Sequence, residues 1–233
     1  MKQLNIFINE KLKITKDTKI ISYKYYPKDK VELKEIINKL IKERGNEADL
    51  NDIDTSEITD MNRLFFYSKF DGDISKWNVS NVENMSNMFE SSYFTGKNSD
   101  ISKWDVSNVK NMQRMFQAAN FNGDISKWNV SNVEDMQHMF DCSEFTGENG
   151  DISKWDVSSV KNMYCMFNNS KFNGDISKWD VSKVENMSYM FTNSKFTGEN
   201  GNISNWNVSN VQDMKEIFKN CPLEKNPPKW HHK

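Results

Sequence analysis

The stretch Asp-Ile-Ser-Lys-Trp-Asn-Val-Ser-Asn-Val-Glu-Asn-Met-Ser-Asn-Met-Phe, residues 73–89, returns in lightly edited form along most of the chain. Its tryptophans, Trp77, Trp104, Trp128, Trp155, Trp179 and Trp206, are separated by 27, 24, 27, 24 and 27 residues. A period in this range, held over many copies, specifies a stacked array in which each copy buries its apolar face only against its neighbours. One copy precedes the first tryptophan: Leu50, Ile53, Thr55, Ile58, Met61, Leu64, Phe65 and Phe70 match Ile74, Trp77, Val79, Val82, Met85, Met88, Phe89 and Phe94 at a constant offset of 24. The long copies differ by three inserted residues, Lys97-Asn98-Ser99, Glu148-Asn149-Gly150 and Glu199-Asn200-Gly201, so the sequence counts in 51-residue pairs. The insertions predict three small loops on one flank, at every second turn.

Within a copy, Ile74-x-x-Trp77-x-Val79 has the spacing of a leucine-rich-repeat strand, with Trp77 and Val79 alternating inward. Val82, Met85, Met88 and Phe89 recur at three and four residues, the spacing of a short helical or 3₁₀ turn. The expected fold class is therefore α/β: a leucine-rich-repeat solenoid over 47–221, with short parallel strands on one face and short helical turns on the other. Residues 1–46 read as an N-terminal α/β cap. Segments 4–8, 11–14 and 20–26 are rich in β-branched and aromatic residues and predict short strands. Residues 29–44 predict a helix, because Leu33, Ile36, Ile37, Leu40 and Ile41 form one apolar stripe, with Asp29 to cap its start and Gly45 to stop it. Residues 222–233 read as a C-terminal cap or tail. Trp230 lies 24 residues after Trp206, but Pro227 and Pro228 precede it and block further strand pairing.

The residue after the Val82 position runs Glu83, Lys110, Glu134, Lys161, Glu185 and Gln212. Stacked copies would place these side by side, and alternating sign makes a ladder of weak pairs whose main value is register. Mean hydropathy is −0.80, which suits an array with a narrow core and several exposed faces. A formal net charge of −2 and a pI near 6.0 give no global argument for nucleic acid or an anionic membrane as partner. The three cysteines, Cys142, Cys165 and Cys221, are odd in number and irregularly spaced, which predicts neither a disulfide framework nor a metal knuckle. Residues 1–9 lack the apolar core of a secretory signal, and no run is long enough to span a bilayer.

The unit at 121–140, Phe-Asn-Gly-Asp-Ile-Ser-Lys-Trp-Asn-Val-Ser-Asn-Val-Glu-Asp-Met-Gln-His-Met-Phe, resembles the BspA-like leucine-rich repeats of bacterial surface proteins. The resemblance covers about residues 50–221. It implies a non-enzymatic scaffold for adhesion or protein interaction, displayed on a cell surface; cytoplasmic and virion-associated locations are the alternatives. The first 46 residues lie outside it.

The expected strand face offers a lysine column, Lys76, Lys103, Lys127, Lys154 and Lys178, continued by Asn205 and Lys229. Beside it runs an Asn/Asp column, Asn78, Asp105, Asn129, Asp156 and Asp180, and then a serine column from Ser80 to Ser209. The lysine and Asn/Asp columns are the candidate partner-binding face, set against the plainer reading of a solvated surface in which lysines pair with neighbouring aspartates. The expected partner is a protein, host or self. A glycan stacked on an outward tryptophan row is the alternative, as is a structural or virion spacer. Inward tryptophans would be core. His138 and Cys165 share one column, but two ligands fall short of a zinc site. Asp73, Asp100, Asp124, Asp151 and Asp175 read as turn caps rather than calcium ligands. No nucleophile–base pair, phosphate loop or unique carboxylate pair is present, so neither catalysis nor a cofactor is expected.

Overall fold

The computed structural model describes residues 23–232. The strands expected at 4–8 and 11–14 lie outside the described residues, as does the start of that at 20–26; Tyr25 of the last forms an isolated parallel bridge to Ile53. The one α-helix among the described residues, α1, spans Lys30–Arg44. Asp29 Oδ1 accepts from the N–H groups of Val31 (2.8 Å) and Glu32 (3.0 Å), satisfying two donors of the first turn. Gly45, at φ 89°, returns its N–H to Ile41 O and ends the helix. Leu33, Ile37 and Leu40 point into the core that continues through the array. Arg44 locks the helix C-terminus with a two-pronged pair to Asp52 at 3.0 and 2.9 Å.

The α/β architecture expected for the array does not form. Among the described residues the copies contain neither strands nor α-helices; they are runs of turns and bends. Their only sheet-like pairing is a set of isolated parallel bridges along Asp60, Asn84, Asn111, Asp135, Asn162, Asn186 and Asp213, with a second bridge, Asp49 to Asp73, between the first two copies. The backbone shows why the helical turn fails. Each copy holds two left-handed residues four apart: Arg63 and Tyr67, Asn87 and Ser91, Arg114 and Ala118, His138 and Cys142, Cys165 and Asn169, Tyr189 and Asn193, Glu216 and Asn220, all with φ between 50° and 60°. A right-handed helix cannot continue through such residues. Overlapping tight turns result, in which Met88 N–H bonds Met85 O, Glu90 N–H bonds Asn87 O and Ser92 N–H bonds Phe89 O, each at 3.2 Å. The expected strand fails for a related reason. Trp77 N–H reaches back to Ile74 O (3.1 Å) and Val82 N–H to Val79 O (2.9 Å), so the chain curls where a strand would extend. Asp73 Oδ1 and Asn78 Oδ1 accept from the N–H two residues on, at 2.9 and 3.1 Å, closing side-chain turns at both ends of the curl.

Copies stack through a one-directional ladder. In the second copy, the N–H groups of Met85, Asn87, Phe89 and Ser91 donate to the carbonyls of Asn111, Gln113, Met115 and Gln117 in the third, at 2.7–2.9 Å. The same four bonds recur at each of six junctions, always from the earlier copy's N–H to the later copy's C=O. Over this segment alternate peptide units therefore all point one way along the stack. An ordinary sheet differs: its edge presents N–H and C=O in alternation.

Side chains under this ladder form continuous columns. Phe65, Phe89, Phe116, Phe140, Phe167, Phe191 and Phe218 stack at centroid separations of 5.4 to 5.9 Å. A second column, Phe70 to Phe196, stacks at 6.0 to 6.5 Å. Near-parallel rings in a dry core add about 0.5–1.5 kcal/mol per pair beyond area burial. All the repeat tryptophans are buried. The indole N–H of Trp77, Trp128, Trp155, Trp179, Trp206 and Trp230 donates to a main-chain carbonyl of an earlier copy at 2.9–3.2 Å. They face the core, where they cannot stack on a sugar.

Candidate functional site

The curl between the two side-chain turns sets the lysine column on the surface. Lys76, Lys103, Lys127, Lys154 and Lys178 are all exposed, and none makes an ion pair among the described residues. The diagonal Lys–Asp pairs of the solvated-surface reading are thus not formed as contacts. Acidic groups are near all the same: Lys103 and Lys127 help hold the Asp100 carboxyl below its ordinary range, after the larger effect of hydrogen bonds from Ser102. Lys154 and Lys178 stand in the same relation to Asp151, behind Ser153.

The neighbouring column, Asn78, Asp105, Asn129, Asp156 and Asp180, is also exposed, but each side chain has a local task. Each Oδ1 accepts from the serine N–H two residues on, at 3.0–3.2 Å. Hydrogen bonds from the serine hydroxyl first, and from its N–H second, hold the Asp105 and Asp180 carboxyls below the usual aspartate range. One oxygen of each residue is engaged with the turn, which leaves the lysines as the freest charged groups of the face. The turn-starting aspartates behave alike: Asp100, Asp124, Asp151 and Asp175 each accept from the serine two residues on at 2.8–3.0 Å. The face is therefore a row of cations between two rows rich in carboxylates.

The residues that vary between copies sit on the other flank. Asn87, Arg114, His138, Cys165, Tyr189 and Glu216 are the first left-handed position of successive copies, and many of their side chains turn to the residue three further on. Arg63 lies over the Phe66 ring at 5.0 Å, Asn87 donates to Glu90, His138 Nδ1 meets Asp141 Oδ2 at 2.9 Å, and Glu216 pairs with Lys219 at 2.8 Å. Asp141 also accepts from Gln117 Nε2 at 2.8 Å and from Cys142 Sγ at 3.3 Å. Burial pushes the Cys142 and Cys165 thiols up to about 11, with Asp141 adding to the effect at both, so they stay protonated and poorly nucleophilic at neutral pH. Among the described residues no group of three or more His, Cys, Asp or Glu side chains is placed to hold a metal ion. The variable side chains meet partners in their own turn or the neighbouring one rather than converging on one centre.

Sequence reasoning passed over a further column, Asp60, Asn84, Asn111, Asp135, Asn162, Asn186 and Asp213. Each Oδ1 accepts the N–H two residues on at 2.8–3.1 Å, and each residue forms the inter-copy bridge. Its signal was an unbroken Asn/Asp identity immediately before the first methionine.

The register ladder forms in part. Lys110 pairs with Glu83 at 2.8 Å and Lys161 with Glu134 at 2.7 Å, both across 27-residue steps and both well exposed. The inserted loops fold back on the copy before: the side-chain amides of Asn98, Asn149 and Asn200 donate to the carbonyls of Asp71, Asn122 and Asn173.

No curated protein and no solved structure is significantly similar to the chain. A family described as "Mycoplasma protein of unknown function, DUF285" matches it twice, over residues 32–148 and 121–230. The matches overlap within the array and together take in α1 and every copy, so the chain belongs to the DUF285 family.

Proposed function

We propose that the protein is a non-enzymatic repeat scaffold that binds another protein through the extended lysine face. The observation that carries the reading is the column of five exposed lysines, without ion pairs among the described residues, running through five consecutive copies on a fixed backbone. Preformed, regularly spaced charges bind at low ordering cost, and their arrangement sets specificity more than raw affinity. The complementary partner presents a row of carboxylates flanked by basic groups, since carboxylate-rich rows border the lysines on both sides. This reading keeps the interaction and adhesion role that the BspA-like resemblance implies, and carries it on the lysine face of a turn-built stack. The variable flank suits a supporting role, because its side chains are engaged with one another.

The test is affinity capture with the full chain, followed by identification of a stoichiometric protein and measurement of its dissociation constant. Lys103→Glu combined with Lys154→Glu should weaken that complex at least tenfold, while Lys110→Glu, on the register ladder, should leave it within about twofold. Unchanged binding by the double variant would sink the reading.

A further inference from the structure

The ladder that joins the copies has two unlike ends. At its start, α1 engages the carbonyl row of the first copy at one point: Lys34 Nζ donates to Leu64 O, while Lys30 pairs beside it with the Asp60 side chain at 2.7 Å. At its far end the last copy presents the opposite groups. The N–H of Asn220 is taken by Glu224 Oε2 at 2.9 Å. The N–H groups of Met214, Glu216 and Phe218 meet no acceptor among the described residues, although the same three positions of every earlier copy donate to the following copy at 2.8–3.2 Å. Phe218 is only 2 % exposed, because the Trp230 and His231 rings of the C-terminal segment lie 5.7 and 5.4 Å from its own, so an unmatched donor there is costly to leave bare. A cleft of about 350 Å³ opens beside the last two of these donors, lined by Glu216, Phe218, Lys219, Glu224, Pro227 and His231.

We propose that this end is a docking site for a polypeptide segment of a partner protein that presents backbone carbonyls in a single row. The required shape is the one each copy of this chain shows to the copy before it. The open end is thus the established copy-to-copy interface with one half missing. Three features select this occupant. An ordinary β-strand edge alternates N–H with C=O, so it would set donors against donors along the row. A free anion is disfavoured because Glu216 and Glu224 flank the cleft and its one lysine, Lys219, is already paired with Glu216 at 2.8 Å, whereas neutral carbonyls meet no such repulsion. A second whole copy is disfavoured because Lys34 of α1 already occupies Leu64 O in its matching carbonyl row. The partner is therefore a protein carrying a similar Asn/Asp-Met-x-x-Met-Phe turn whose carbonyl edge is uncovered.

The test is an NMR titration of the nitrogen-15-labelled full chain with a synthetic peptide of its own sixth turn, residues 184–194. The proposal expects saturable shifts of the Met214, Glu216 and Phe218 amides with a dissociation constant below about 1 mM, and still amides at Met136, His138 and Phe140. A Thr-Val alternating peptide of equal length should leave all six unmoved. The proposal is overturned if the three end amides do not shift with the turn peptide, or shift equally with a scrambled or Thr-Val peptide. It is also overturned if acetate alone moves them at the same concentration, which would make the row an anion site. Shifts that follow the concentration of the chain itself would assign the end to a second copy and overturn it as well.

Discussion

Trp104 and Trp128 occupy equivalent places in successive copies and stack on one another at 6.5 Å, yet only Trp128 has a carbonyl to donate to. Trp128→Phe and Trp104→Phe remove the same volume from the same column. The first also removes a 2.9 Å bond to Ile101 O. Chemical denaturation should therefore show Trp128→Phe costing about 1 kcal/mol more than Trp104→Phe. The left-handed positions make a second residue-level prediction. A side chain with a Cβ is strained there by about 1–2 kcal/mol, and β-branching makes it worse. Ala118→Gly should raise stability by about 0.5–1 kcal/mol, the relief exceeding glycine's entropy penalty. Asn169→Val, at an exposed site of the same kind, should lower it by about 1–2 kcal/mol. The sequence carried a trace of this constraint, since none of the fourteen left-handed positions is Val, Ile or Thr. Variety there suggests a binding surface when read as a string. In the structure it is the mark of positions defined by backbone conformation, where many unbranched side chains serve.

Within one copy, the apolar positions were legible and the backbone path between them was not. Ile74, Trp77, Val79, Val82, Met85, Met88, Phe89 and Phe94 are all buried, as the spacing requires. The same spacing of three and four residues is met by a helix and by overlapping tight turns. The choice falls to Asn87 and Ser91, whose left-handed φ no hydrophobic pattern reports. α1 was legible to within a residue, because a continuous stripe, a capping aspartate and a terminal glycine agree there. The candidate lysine face was legible as a column. That its Asn/Asp neighbours hold turns depends on contacts two residues away in a curl that the sequence reads as a strand. Gly72 shows how tightly copies abut: a Cβ on it would lie 2.1 Å from Ala48 O and 2.8 Å from Ala48 N, both backbone atoms that cannot step aside. Gly72→Ala should lower stability by about 1–3 kcal/mol in a denaturant melt. The side-chain turns predict an acid response. Hydrogen bonds to Ser107 and Ser182 depress the Asp105 and Asp180 carboxyls from an ordinary value of 3.8. A depressed carboxyl contributes stability that is complete above its unfolded value and lost as pH falls through the folded one. Acid unfolding should thus steepen below about pH 4. Asp105→Asn with Asp180→Asn, copying the Asn found at this position in other copies, should leave stability at pH 7 nearly unchanged and blunt the loss at pH 3. An equally steep loss would show that these turns are not its source.

At the scale of the molecule the chain is an axial stack whose unit is the pair of copies. Removing residues 99–149 deletes one 51-residue pair and sets Glu83 before Lys161, preserving alternation in the ladder. Removing residues 122–145 deletes a single 24-residue copy and sets Lys110 before Lys161. The longer deletion should still unfold in one cooperative transition with a smaller denaturant slope, as expected for nearest-neighbour stacking. The shorter deletion should gain stability as salt rises, through screening of the new like-charge contact. The central claim is that the copies are joined by one-directional rows of N–H donors, with α1 set against the row at the start and unmatched donors at the other end. Residue-resolved amide exchange on the full chain tests it most directly. Strong protection of Met136, His138, Phe140 and Cys142, with fast exchange at Met214 and Glu216, is the predicted result; equal protection of the last row and the interior rows, or weak protection throughout, would contradict it.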